Sequence, residues 1–286
     1  MKSLGGVAVK RPGFPVLAFL CCTLLLLIMS SGLYLTQLPQ LPSSRSALVV
    51  AAIPYVDRHV NRAEASSGFI LKLAPKPGET LDYTVLISET LYSDGRRSTT
   101  LYREAMRIEV VPFGEDKFKQ TVSCTGTATV DGSSVRQLSP IRYSIISRRD
   151  GRVLQVEGLR PWDSRLMETI WLTQVMLDNG PVKPGDSWAI NEETYSTADG
   201  KPWFERREYI YKGMENVDGI DSFRIDFTIS RSGRRSDGSS TYLGKGSFYI
   251  QDGRVLKFDS SEVISVSGKG QDNKAITMVQ VTLKKD

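Results

Sequence analysis

The sequence predicts an all-β fold: a strongly curved, half-barrel-like antiparallel meander with one inserted helix, set behind an N-terminal transmembrane helix. Three observations predict it. Apolar and polar residues alternate with period two through most of the chain after Phe69, as in strands with one dry and one wet face. Asp-Gly pairs at 94–95, 131–132, 150–151, 237–238 and 252–253 punctuate those runs, and both residue types tolerate the positive φ of tight hairpins. An apolar, charge-free run from Phe14 to Leu35 follows a basic N-terminus.

Residues 1–13 carry Lys2, Lys10 and Arg11 and no acid, which orients that end toward the cytoplasm. The 22 residues from 14 to 35 suffice to cross a hydrocarbon core of roughly 30 Å as a helix. The expected outcome is a retained single-pass membrane anchor, with the rest of the chain extracytoplasmic, in the periplasm or at the cell surface. The alternative is a cleaved signal peptide and a secreted product, with Ser30-Ser31-Gly32 offering small residues to a peptidase. Lipoprotein processing at Cys21 is disfavoured, because bulky Leu20 precedes it and apolar residues follow it. Residues 36–67 read as a linker containing Pro39, Pro42, Ser43, Ser44 and Ser46. The only histidine, His59, falls there, where solvation is its ordinary state.

Residues 68–286 form the β-sheet domain. Phe223, Ile225, Phe227 and Ile229 alternate with Arg224, Asp226, Thr228 and Ser230. Tyr102, Met106, Ile108 and Val110 oppose Arg103, Arg107 and Glu109, and Phe118, Val122, Cys124, Ala128 and Val130 share one side of the next run. About ten strands fit between Phe69 and Lys284. One segment departs from the pattern, at about 163–178. Asp163 or Ser164 caps a helix there and Asn179-Gly180-Pro181 ends it. Its apolar residues cover more than one stripe, so it packs across the sheet's apolar face or forms a lid over a ligand cavity. In the second case Trp162, Met167, Ile170 and Trp171 are the candidate ligand-binding residues.

Two phrases recur in the same order. Lys76-Pro77-Gly78-Glu79 is answered by Lys183-Pro184-Gly185-Asp186, and Asp150-Gly151-Arg152-Val153-Leu154 by Asp252-Gly253-Arg254-Val255-Leu256. The order and spacing suggest a duplicated unit, with halves at about 69–158 and 181–284 joined by the helix. Each phrase alone is ordinary turn chemistry. The openings Lys76 to Tyr83 and Pro181 to Trp188 resemble phrases from uncharacterised bacterial exported β-rich families. The expected curved sheet with its inserted helix, behind an export signal, is similar to the periplasmic lipoprotein-carrier and lipoprotein-domain superfamily. That resemblance implies a concave apolar face able to hold an acyl chain, and it transfers no functional residue.

Chemistry is sparse. The formal net charge of +5 falls to +2 over residues 36–286 once Lys2, Lys10 and Arg11 are set aside, too little for a nucleic-acid partner. No Gly-x-Ser-x-Gly occurs, and the domain has no histidine to serve as a base. Cys124 lies on an apolar strand face and reads as a core thiol. Catalytic residues, a metal site and cofactors are therefore not expected. A carboxylate hydrolase is the remote alternative, and the adjacent Glu192 and Glu193 point to opposite faces of a strand. Arginine pairs at Arg96-Arg97, Arg148-Arg149 and Arg234-Arg235 adjoin Asp-Gly turns and are expected to gather at one sheet end, against lipid headgroups or an anionic polymer. The expected function is a membrane-anchored, non-enzymatic protein that binds a lipid, lipoprotein or other hydrophobic ligand. Its rival is an envelope protein-protein interaction module with a filled core.

Overall fold

The computed structural model describes residues 60–61, 68–93, 95–133, 135–158, 175–178, 180–195, 202–235, 238–268 and 271–284. Alternation becomes strand wherever it was expected. The first half holds β1 (Val60–Asn61), β2 (Phe69–Ile70), β3 (Thr80–Ser93), β4 (Arg96–Pro112), β5 (Lys117–Val130), β6 (Val135–Gln137), β7 (Ile141–Arg148) and β8 (Val153–Glu157). The second holds β9 (Pro181–Val182), β10 (Ser187–Tyr195), β11 (Pro202–Val217), β12 (Ile220–Arg235), β13 (Gly238–Gln251), β14 (Arg254–Gly268) and β15 (Gln271–Leu283).

One antiparallel sheet runs β1-β10-β11-β12-β13-β14-β15-β3-β4-β5-β7-β8, with β6 on β5, while β2 and β9 pair separately. Neighbours follow chain order apart from β1 on β10, the step from β5 to β7, and one splice. There β15 pairs with β3, Val281 opposite Val85 and Leu283 opposite Tyr83, so the C-terminal strand joins the second half to the first. The sheet is open: among the described residues no ladder joins β8 to β10.

The sheet is nonetheless bent over on itself. A single cavity touches Tyr143 and Ile145 of β7 and Phe258 of β14, which stand five places apart in the strand order. In a flat sheet at about 4.8 Å per strand those side chains would lie roughly 24 Å apart. Curvature also lets Val175–Leu177 touch both margins: Leu177 N–H donates to Asp150 O, and Trp188 Nε1–H donates to Met176 O at 2.8 Å. The expected helix at about 163–178 lies outside the described residues except for Val175–Asp178, which have no helical structure. These residues are buried, Val175 completely, because they fill the interior between the two margins rather than lying across a face as a helix turn.

The two recurring phrases fold alike. In each, Pro and a positive-φ Gly form the turn, and the last residue's N–H donates to the lysine carbonyl at 3.0 Å. The acid's side chain accepts the lysine N–H, Glu79 from Lys76 at 3.0 Å and Asp186 from Lys183 at 2.8 Å. Each turn then docks on its neighbouring strand through paired main-chain bonds, to Val110 in one half and Tyr211 in the other. From these anchor points the halves match strand by strand, β3-β4-β5-β7-β8 against β10-β11-β12-β13-β14.

The Asp-Gly turns at 150–151 and 252–253 are also docking points. Segment 71–75 crosses between them, Leu73 N–H donating to Arg149 O at 2.9 Å and Ala74 N–H to Gly253 O at 3.0 Å. A Cβ on Gly151 would sit 1.7 Å from the Val175 carbonyl oxygen, whereas one on Gly132, at a similar positive φ, would meet nothing. Gly132→Ala should therefore cost only the left-handed backbone strain, about 1 kcal/mol. Gly151→Ala adds an unavoidable backbone collision and should cost at least about 2 kcal/mol more. Urea unfolding of the two variants checks the contrast, and equal losses would show that Val175 is not packed on the turn.

Candidate functional site

The inner face of the sheet divides into an apolar end and a charged end. The apolar end lies beside the Lys76–Glu79 turn and the Asp-Gly turns at 150–151 and 252–253. In the second half it is filled by rings. Trp188 stacks on Tyr209 at 5.5 Å, Phe227 on Phe258 at 5.8 Å, and Phe248 tilts against Phe258 at 4.8 Å.

The first half carries smaller groups at most of the same places. Because Val110 and Tyr211 receive equivalent turns, the ladders place Leu81 where Trp188 stands, Ile108 where Tyr209 stands, Ile145 where Phe248 stands and Val156 where Phe258 stands. Tyr143 in place of Gly246, over Val122 in place of Phe227, restores only part of the volume. The result is a cavity of about 120 Å³. Leu73, Tyr83, Met106, Val122, Ile145 and Val281 are among its walls, and Val175 and segment 71–75 close it. Burial and the Glu79 carboxylate keep the Tyr83 hydroxyl neutral, and it donates to Val255 O at 2.9 Å. Desolvation likewise pushes the Tyr143 hydroxyl up.

At the charged end, Glu205 of β11 faces Arg231 of β12, with Arg207 next inward and only 1% exposed. Both guanidinium groups bond to the Glu205 carboxylate. Burial alone would push Glu205 up, but Arg207 and Arg231 hold it at about 2. Glu192 of β10 stands opposite Glu205 and is raised by burial, against the pull of Arg207. The two acids are cross-strand neighbours, and Glu205 is committed on both oxygens to arginine, so it is not a free carboxylate for hydrolysis. Glu262 of β14, 2% exposed, accepts from Ser260 Oγ at 2.8 Å, and burial raises it to about 7. In the first half Glu104 occupies the place of Glu205, with Gly126 where Arg231 stands.

Trp162, Met167, Ile170 and Trp171 lie outside the described residues, as do His59 and the apolar run 14–35. No helix among the described residues is long and apolar enough to cross a membrane. The arginine pairs do not gather at one end. Arg96 and Arg97 at the β3–β4 hairpin share an end with the main chain of Arg234 and Arg235 at the β12–β13 hairpin, but Arg148 and Arg149 sit at the opposite end. An odd number of antiparallel passes separates β4's start from β7's finish, which forces the reversal. Cys124 is buried on the inner face. Among the described residues no group of His, Cys, Asp and Glu is placed to hold a metal ion. The residues missed from the sequence are Glu205, Arg207, Arg231, Glu262 and Arg254. Arg207 stood out in the sequence only as half of the Arg206-Arg207 pair, and Arg254 only within the repeated Asp-Gly-Arg phrase.

No family model matches the chain, and no curated protein matches it. Among the solved structures that resemble it are three of different kinds. Lipovitellin, studied for its lipid-protein interactions, is 11% identical with a TM-score of 0.40, and covers 73% of this chain, which spans 25% of lipovitellin's length. The hypothetical lipoprotein YmcC from Escherichia coli K12 is 12% identical with a TM-score of 0.27, over 70% of this chain and 86% of that one. An outer membrane channel from Pseudomonas putida F1 is 10% identical with a TM-score of 0.24, over 77% of this chain and all of that one.

Glu262 generates a pH prediction. Its folded value near 7 lies above the ordinary 4.5, so the native state binds more protons between those limits and stability falls as pH rises through that window. The loss attributable to it should approach roughly 3 kcal/mol. Glu262→Gln should flatten that decline and be more stable than the parent at pH 8. Urea midpoints from pH 4.5 to 8 check it, and an unchanged slope would place the Glu262 carboxyl in water.

Proposed function

We propose that this is a membrane-anchored, extracytoplasmic, non-enzymatic protein that holds the apolar part of an amphiphilic ligand beneath its curved sheet. The observation that carries the reading is the cavity at the apolar end of the first half, present where the second half is filled by Trp188, Phe248 and Phe258. The apolar run 14–35 supports the anchor, and the basic residues before it support the orientation.

The cavity's size bounds the ligand. Pockets that enclose whole drug-sized molecules measure roughly 300–1,000 Å³, and a dry site of about 150 Å³ accepts a benzene ring. A volume of about 120 Å³ therefore suits the end of an acyl chain or a ring-sized group, not an entire lipid. Segment 71–75 is the natural gate. Two main-chain hydrogen bonds hold it to the turns, and it follows β2, which comes next after the linker from the proposed anchor.

The test is photolabelling of the full chain with a fatty acid bearing a diazirine near its methyl end, followed by peptide mapping. Adducts are expected on peptides containing Tyr83, Tyr143 or Phe258. Ile145→Phe installs the ring that the second half carries at the matching place. It should abolish those adducts while leaving the melting temperature unchanged or raised, since the substitution fills a void. Labelling that persists in this variant, or that maps elsewhere, would favour an interaction module with a filled core.

A further inference from the structure

We infer that the ligand's polar end is an anion, a carboxylate or a phosphate, received by Arg254 at the wall of the apolar cavity. The inference rests on the cavity reading above. Twenty described residues line that cavity, and Arg254 is the only charged one. The rest of the wall is aliphatic, aromatic or neutral, with Gln120, Ser147, Tyr83 and Tyr143 as its polar side chains. The guanidinium is the one charged hydrogen-bond donor that a ligand meets on the described wall.

Arg254 has donors to spare. Its Nη2 is 2.8 Å from Glu79 Oε1, while its buried Nε–H has no acceptor. A buried donor without an acceptor is costly, and a bidentate anion is the group that a guanidinium fork fits. The Glu79 partner is itself held in place, because its Oε2 accepts the Lys76 N–H at 3.0 Å. Glu79 therefore fixes the guanidinium in position rather than consuming all its donors. About a quarter of the Arg254 side chain remains exposed, which places it where a headgroup at the mouth can be reached while the tail lies inside.

The repeat shows that this is a feature of one half. Arg152 occupies the same place in the first Asp-Gly-Arg phrase but does not line the cavity. Gly253, beside Arg254, is packed so closely on Ala74 of the crossing segment that a Cβ there would lie 2.4 Å from the Ala74 nitrogen. Entry at this gate thus passes the guanidinium.

The experiment uses the full chain in amphipol and the neutral apolar probe fluorobenzene, a single ring, whose 19F NMR signal reports cavity occupancy. Decanoic acid, decyl phosphate and decanol then compete for the site at pH 8. Both anions are expected to displace the probe at concentrations roughly tenfold or more below decanol, the scale of one charge-assisted hydrogen bond. Arg254→Gln should erase that preference without changing probe affinity, and Arg254→Lys should retain part of it. Decanoic acid alone surpassing decanol would identify a carboxylate head, and decyl phosphate alone a phosphate head. Equal displacement by all three, with the probe lost in Ile145→Phe, would overturn the role of Arg254 and leave the cavity reading intact. Probe binding equal in the parent and in Ile145→Phe would overturn the cavity reading itself.

Discussion

The interior of this molecule is shut by two Asp-Gly turns to which other parts of the chain are bonded through main-chain atoms. Gly253 accepts Ala74, the Arg149 carbonyl accepts Leu73, and Asp150 accepts Leu177. An open antiparallel sheet has two free margins and a concave face that must be covered. These bonds bring segment 71–75, ahead of β3, and chain from the junction of the halves across that face. The turns have to be glycine at the contact points, since any Cβ at Gly151 or Gly253 would occupy the space of the crossing backbone. Curvature, coverage and the cavity all follow from that arrangement.

Duplicated geometry with unequal side-chain volume explains why one half is filled and the other is not. The turns at Lys76–Glu79 and Lys183–Asp186 set the same starting register, so each inward position in one half has a partner in the other. Aromatic rings at Tyr209, Phe227, Phe248 and Phe258 close the second half, while Ile108, Val122, Ile145 and Val156 leave the first half short of volume. Close-packed interiors tolerate few such gaps. In the proposed function that gap is where the apolar end of the ligand sits, with Phe258 and Val281 of the second half completing its wall.

The charged end of the same face follows a different rule. Arg207 and Glu205 are almost fully withdrawn from water, a costly placement that the reciprocal bonds with Arg231 offset. Breaking such a pair leaves an uncompensated charge, so the cluster constrains β11 against β12 more than it stabilises the fold outright. Glu262 shows the opposite solution: with a serine rather than an arginine donating to it, burial raises its carboxyl to about 7.

Period-two alternation made the strands legible, and the repeated Pro-Gly and Asp-Gly phrases marked turns that the structure confirms at Gly78, Gly185, Gly151 and Gly253. The charged cluster was not legible. Along β11, Glu205 and Arg207 alternate with Arg206 and Glu208, so both faces carry charge and only the packing of Tyr209 and Tyr211 decides which face is inner. The non-helical course of Val175–Asp178 was hidden for a related reason: a continuous apolar run satisfies any fully buried conformation, and its hydrogen bonds go to distant residues, Trp188 and Asp150. The sequence by itself determined the all-β class, the hairpins at its five named Asp-Gly pairs and the apolar N-terminal run, because those depend on neighbours a few residues apart. Tertiary structure alone decided that β15 splices to β3, that Arg148 and Arg149 lie at the far end from the other pairs, and that Arg254 stands beside a cavity. Those outcomes depend on which strands meet across the curved sheet, and no local pattern encodes contacts between residues 172 positions apart such as Tyr83 and Val255.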